Sequence, residues 1–145
     1  MTARGRPINR REIAALVRAA RGARRHAYAP YSRFPVGAAV LTTSGAIVAG
    51  CNVENASYGL SICAERAAIH RAVAQGHRRL RAVAVAAGQS GAMPCGACRQ
   101  VMQEFGVSDV IVVGPRRAPQ AFRLADLLPR PFSPSDLRSQ GRLGG

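Results

Sequence analysis

Leu80-Arg81-Ala82-Val83-Ala84-Val85-Ala86-Ala87, followed by a loop, a helical segment and then Val107-Ser108-Asp109-Val110-Ile111-Val112-Val113, is the stretch that sets the architecture. Both runs are short, apolar and rich in valine, and each is closed by glycine, at Gly88 and Gly114. Strands with one face in water alternate apolar and polar residues; these runs barely do, so both read as strands buried on both faces. Cys95 to about Phe105 reads as a helix between them. A strand–helix–strand unit of this kind brings its strands parallel through a right-handed crossover.

Working outward, Val36 to Leu41 is an apolar strand, Thr43-Ser44-Gly45 a turn, and Ala46 to Val53 a returning strand, which together predict an antiparallel hairpin. Residues 11–26 place Ile13, Leu16, Val17 and Ala20 at helical spacing, and Ala29-Pro30 breaks that helix. After Gly59 a second helix is predicted from about Cys63 to Gly76, and Ala121 to Leu124 is a short fifth strand. The order predicts an α/β protein: three layers, α/β/α, around a mixed five-stranded sheet. Pro129, Pro131 and Pro134 predict no regular helix or sheet interior after Leu128. The expected organisation is one domain over residues 11–137, with a basic tail at 1–10 and a C-terminal tail at 138–145.

A chain of 145 residues suffices for one hydrophobic core without disulfide staples, and 48% hydrophobic composition argues against disorder. No apolar run approaches the roughly 18 residues of a membrane span, so no membrane partner is expected. All 21 basic residues are arginine, against 7 acidic ones, for a net charge of +14. A polyanion such as nucleic acid is one reading of that surplus. A solvated arginine surface is the stronger one, because no aromatic residues are interleaved to stack bases. The four cysteines, Cys51, Cys63, Cys95 and Cys98, come with no secretion signal, which predicts a cytoplasmic protein whose thiols bind metal or do chemistry.

Those thiols are the chemical signal. Cys63-Ala64-Glu65-Arg66 is followed by Pro94-Cys95-Gly96-Ala97-Cys98, so two short segments offer three thiols and a carboxylate. Three protein ligands with a fourth corner left for water is the pattern of a working zinc site. Cys95 and Cys98, three apart on a helix, share one side. Both segments begin helices, where the backbone dipole favours thiolates. Three thiolates on a dication leave one negative charge, which Arg66 is placed to offset. Glu65 can enter the same cavity as a proton carrier without ligating. Two bland readings compete: a structural zinc site with Cys51 as fourth ligand, and a Cys-x-x-Cys redox pair. Cys51 lies in a strand, well before the first ligand segment, which weakens the former.

These motifs resemble the small, homotetrameric, zinc-dependent cytidine deaminases. The similarity runs in order through Tyr31-Ser32-Arg33-Phe34-Pro35-Val36-Gly37, Gly50-Cys51-Asn52-Val53-Glu54-Asn55 and the two cysteine segments. It continues to Leu127-Leu128-Pro129-Arg130-Pro131-Phe132, covering roughly residues 11–137. The resemblance implies a cytidine deaminase-like fold and hydrolytic deamination of cytidine and/or 2′-deoxycytidine to the uridine form plus ammonia. It implies Zn²⁺ held by Cys63, Cys95 and Cys98, proton transfer by Glu65, and thiolate charge compensation by Arg66. Substrate contacts are implied for Phe34, Asn52, Glu54, Ala64 and Phe132, the last reaching a neighbouring subunit's site in a homotetramer with shared active sites.

Asn52 and Glu54, two apart at a strand end, share a face, as paired sugar hydroxyls require; strand-end turn chemistry is the plainer role for Asn52. Phe34 is otherwise a core aromatic, and Tyr58 fits either the core or a subunit boundary. Three rivals remain: a deaminase acting on cytosine or adenine in nucleic acid, a deaminase for a nucleoside antibiotic of the blasticidin type, and a basic zinc module that binds RNA without chemistry. Arg66, the Asn52/Glu54 pair and Phe132 favour the free nucleoside.

Overall fold

The computed structural model describes residues 6–89 and 91–140. In chain order its elements are α1 (Arg10–Arg24), β1 (Gly37–Thr42), β2 (Ile47–Cys51), α2 (Ala64–Ala74), β3 (Leu80–Ala86), α3 (Gly96–Glu104), β4 (Asp109–Val113), β5 (Gln120–Arg123), α4 (Leu124–Leu127) and α5 (Pro134–Gln140). The strands form one mixed sheet in the order β2-β1-β3-β4-β5, in which only β3 and β4 pair in parallel. This is the α/β sheet that the order of sequence segments predicts. Because β1 is antiparallel to both β2 and β3, those two point the same way. Cys51 at the end of β2 and Ala86 at the end of β3 therefore both lie opposite Gly37, at one edge of the sheet.

Successive strand residues enter two separate cores. Ala38, Val40, Val83, Val85, Val110 and Val112 face α2 and α3, where Ala68, Ile69 and Met102 are fully buried. Ala39, Leu41, Ala82, Ala84, Ala86 and Ile111 face α1 and meet Leu16, Val17 and Ala20. Both faces are covered, which is why the strands read as unbroken apolar runs. No helix among the described residues is long and apolar enough to cross a membrane.

Two glycines set how closely the helices approach. A Cβ on Gly37 would lie 2.0 Å from the Ala20 carbonyl oxygen of α1. A Cβ on Gly50 would lie 2.5 Å from the Ala68 nitrogen of α2. Each glycine thus lets a helix backbone rest directly on the sheet, one helix per face, beside the shared edge.

At its start, α1 is closed by a reciprocal cap. The Asn9 side chain accepts from the Glu12 nitrogen at 2.9 Å, and Glu12 Oε2 accepts from the Asn9 nitrogen at 3.0 Å. Glu12 Oε1 also accepts from Arg81 on β3 at 2.9 Å and from Arg6 at 2.6 Å. The Arg81 hydrogen bond, then the Asn9 amide, hold the Glu12 carboxyl down at about 2.

Differences from the sequence reading cluster at element ends. The ladder of β2 stops at Cys51 rather than Val53, because the Val36 nitrogen donates to the Asn52 side chain, the Asn52 carbonyl accepts from Tyr28 instead, and Val53 forms only single bridges to Tyr28 and Ile62. Leu124 begins the short α4 rather than ending β5. Residues 134–140 form α5 despite the prolines: Pro134 occupies the first helical position, where a missing N–H costs nothing. Tyr58 is 76% exposed, so a core role does not hold. Of the expected tails at 1–10 and 138–145, residues 1–5 and 141–145 lie outside the described residues.

This packing leads to two expected outcomes. Gly50→Ala forces α2 off the sheet and should lower stability by about 1–3 kcal/mol, the usual cost of overpacking, measured by denaturant melts; an unchanged midpoint contradicts the close approach. Glu12 has a folded pKa of about 2 against an ordinary 4.5, so its stabilisation is complete above the ordinary value and is lost as pH falls from about 5 toward 2. Glu12→Gln should therefore lose stability at pH 7 but show a shallower fall of melting temperature across that acid window; parallel curves would contradict the assignment.

Candidate metal centre and active site

At the shared sheet edge, the chain leaving β2, the chain leaving β3 and the chain entering β1 all meet. Cys63 is the N-cap of α2, with extended backbone (φ −71°, ψ 152°), and Cys95 is the N-cap of α3 (φ −68°, ψ 170°). Neither side chain makes a capping hydrogen bond to its own helix backbone, which leaves both sulfurs free to turn toward each other. Cys98 lies within the first turn of α3 and is fully buried. The Sγ atoms of Cys63 and Cys95 are 3.9 Å apart, those of Cys95 and Cys98 3.5 Å apart, and all three lie within 4.8 Å of one another.

This donor set fits zinc. Tetrahedral ligation with Zn–S of about 2.3 Å spaces sulfurs by about 3.8 Å, close to what is found. Cys51 is not among the three grouped thiols, and all four cysteines are unpaired. Arg66 Nη2 donates to Cys63 Sγ at 3.3 Å. Its Nε is buried without a hydrogen-bond partner among the described residues, a donor that a negatively charged thiolate cluster would satisfy. Hydrogen bonding from Cys98, with Arg66 alongside, pulls the Cys63 thiol down to about 5. The same pairing with Cys63, together with burial, pushes the Cys98 thiol up. The guanidinium of Arg66 is held more firmly charged by the same contact with Cys63.

Glu65 is 5% exposed. Burial, reinforced by the charge on Cys63, raises its carboxyl above the ordinary range. A cavity of about 310 Å³ opens here, lined by Cys63, Ala64, Glu65 and Cys95 and also by Phe34, Asn52 and Glu54. Phe34 is 45% exposed on this wall rather than buried as a core aromatic. A second hollow of about 380 Å³ between α2 and α3, lined by Val73, Val101 and Phe105, holds no thiol and no buried carboxylate.

Asn52 spends both ends of its amide on the segment entering β1. Its Oδ1 accepts from the Val36 nitrogen at 2.8 Å and its Nδ2 donates to the Phe34 carbonyl at 2.9 Å. Glu54 Oε1 accepts from the backbone nitrogens of Tyr31 at 2.9 Å and Ser32 at 3.0 Å, and Oε2 accepts from the Ser32 hydroxyl. The Ser32 bonds lead in holding the Glu54 carboxyl below its ordinary value, so it is an anion facing the cavity. Phe132 is not in this lining: it is 58% exposed, with its carbonyl held by Gln100 Nε2 at 2.8 Å. Sequence reasoning missed Ser32 and Met93, which line the cavity, and Arg99, which braces it. Ser32 sits within a family-like motif and Arg99 directly follows the second cysteine segment, but neither has a role in the sequence reading; Met93 has no pattern to mark it.

Residues 10–114 match the family described as the cytidine and deoxycytidylate deaminase zinc-binding region. The chain belongs to this deaminase family. The cytidine deaminase of Mycobacterium tuberculosis is 50% identical over 117 residues, 80% of this chain and 86% of that one. That of Sporosarcina psychrophila is 44% identical over 129 residues, 87% of this chain and 95% of the relative. The crystal structure of the cytidine deaminase from Burkholderia pseudomallei superposes with a TM-score of 0.78 at 48% identity, covering 82% of this chain and 98% of that one. As a member of this deaminase family the protein is a hydrolytic enzyme and its cofactor is zinc.

Proposed function

We propose that this enzyme hydrolyses cytidine and/or 2′-deoxycytidine to uridine or 2′-deoxyuridine and ammonia. One observation carries the reading: three sulfurs within 4.8 Å share a cavity with a buried carboxylate that is not part of the sulfur group. Zinc held by Cys63, Cys95 and Cys98 supplies the Lewis acid that makes water nucleophilic near neutral pH. Arg66 offsets the single negative charge left when three thiolates meet a dication.

Glu65 moves the protons. Its carboxylate takes one from the attacking water and passes it to ring nitrogen N3. A second goes to the amino group on C4, which leaves as ammonia, while the water oxygen stays on C4. A buried carboxyl with a raised pKa is suited to hold a proton between these steps, since burial favours its neutral form.

The cavity also bears on substrate fit. Its volume of about 310 Å³ lies at the small end of the roughly 300–1,000 Å³ found for small-molecule sites, which suits one nucleoside better than a strand. Glu54 offers an anionic acceptor for sugar hydroxyls. Asn52 has one N–H and one lone pair left over after its backbone bonds, enough to join it. Phe34 and Ala64 line the space for the base and sugar. Nucleic acid is the weaker partner, because a strand needs an open channel.

The assembly we infer is a homotetramer with shared sites. Phe132 does not line its own chain's cavity, and Tyr28, Tyr31, Tyr58, Leu60 and Leu137 are all exposed, as a subunit boundary would leave them in one isolated chain. We place the enzyme in the cytoplasm, where a reducing milieu keeps four unpaired thiols available. The working unit we infer is residues 11–137, with Asn9 and Arg10 adding the cap and first residue of α1 and α5 running on to Gln140.

Glu65→Gln keeps the side chain's shape and removes its proton transfer. The variant should bind zinc as the wild type does, by metal analysis, while ammonia release from cytidine falls at least about 10²–10⁴-fold. Turnover within tenfold of the wild type would contradict the role. Faster release from a cytosine-containing oligonucleotide than from cytidine would shift the substrate class.

A further inference from the structure

Beyond the cavity, one side chain joins the second cysteine segment to the C-terminal part of the chain. Arg99 comes directly after Cys98 on α3. Its Nε donates to the carbonyl of Pro94 at 2.8 Å, and its Nη1 donates to the carbonyl of Leu127 at 2.8 Å. Pro94 is buried and immediately precedes Cys95; Leu127 is the last residue of α4. Its neighbour Gln100 holds the same segment further on, at the Phe132 carbonyl. A planar, fixed fork is what binding two separate carbonyls demands.

We propose that Arg99 is a positioning residue that couples the thiol cluster to the C-terminal segment 127–132, with Gln100 as that segment's outer anchor. The Pro94 carbonyl fixes the peptide leading into Cys95, and so the angle at which that sulfur meets the other two. The Leu127 carbonyl fixes where the chain leaves α4 on its way to Phe132. A single guanidinium thus makes the order of one depend on the order of the other. By linkage, metal bound at the cysteines then steadies segment 127–132, and a firm segment strengthens metal binding.

This coupling rests on the reading of Cys63, Cys95 and Cys98 as zinc ligands. The test uses the full chain with zinc alone, tracking zinc affinity by chelator competition and amide hydrogen exchange in residues 128–133. In the wild type, zinc should slow exchange in that segment. Arg99→Met should weaken zinc affinity about 10–100-fold, as loss of a residue supporting a ligand typically does, and abolish the zinc-dependent slowing. Gln100→Ala, which frees only the far end of the segment, should speed exchange there and weaken zinc affinity by less than Arg99→Met does. Should Arg99→Met not fold, Arg99→Lys, whose single ammonium cannot span both carbonyls, carries the same test through loss of zinc-dependent slowing. Unchanged zinc affinity in Arg99→Met, or zinc-dependent slowing that survives in either variant, overturns the coupling. A wild-type chain that binds no zinc instead overturns the ligand reading itself.

Discussion

Three sulfur atoms must reach one small volume from two helix starts that lie 32 positions apart in sequence, and the rest of the site depends on that convergence. The sheet makes it happen. With β1 antiparallel between β2 and β3, both flanking strands end opposite Gly37, and the chain beyond each one turns into a helix at the same edge. Cys63 and Cys95 are the caps of those helices, and the first turn of α3 adds Cys98. Gly50 lets α2 settle close enough to the sheet for its cap to arrive there. Helix starts carry partial positive charge, so thiolates gathered there are stabilised before a metal is bound.

Charge then sorts the neighbours into roles. Three thiolates and a dication sum to minus one, and the Arg66 guanidinium lies against Cys63. Glu65, beside the same cluster but buried, is pushed toward its neutral form by burial and by negative sulfur. Glu54, in the same cavity wall, is pushed the other way by the Ser32 hydroxyl and two backbone amides. Two carboxyls in one cavity are thereby separated: one is pushed toward its neutral form, the other toward its anion.

Much of this is legible in the chain. Val83, Val85, Val110 and Val112 mark strands because both sheet faces are covered, and Thr43-Ser44-Gly45 marks the hairpin because the turn needs the positive φ that Gly45 adopts. The Cys63 and Cys95–Cys98 spacing announces the metal chemistry, and helical geometry places Arg66 and Glu65 beside it. What stays hidden depends on partners far away in sequence. Asn52 reads as a sugar-hydroxyl contact, yet its amide first ties down Phe34 and Val36, 18 and 16 residues earlier. Arg99 reaches Leu127, 28 residues on, and no local pattern carries that information. The prolines argue against a helix after Leu128, but Pro134 begins one, because proline's restriction applies to helix interiors.

Zinc K-edge absorption on the metal-loaded protein reads the sulfur cluster most directly. Three sulfur neighbours at about 2.3 Å together with one lighter neighbour are expected, leaving a corner for reaction. Four sulfurs, with Cys51 drawn in, or fewer than three, would contradict a catalytic centre built on Cys63, Cys95 and Cys98.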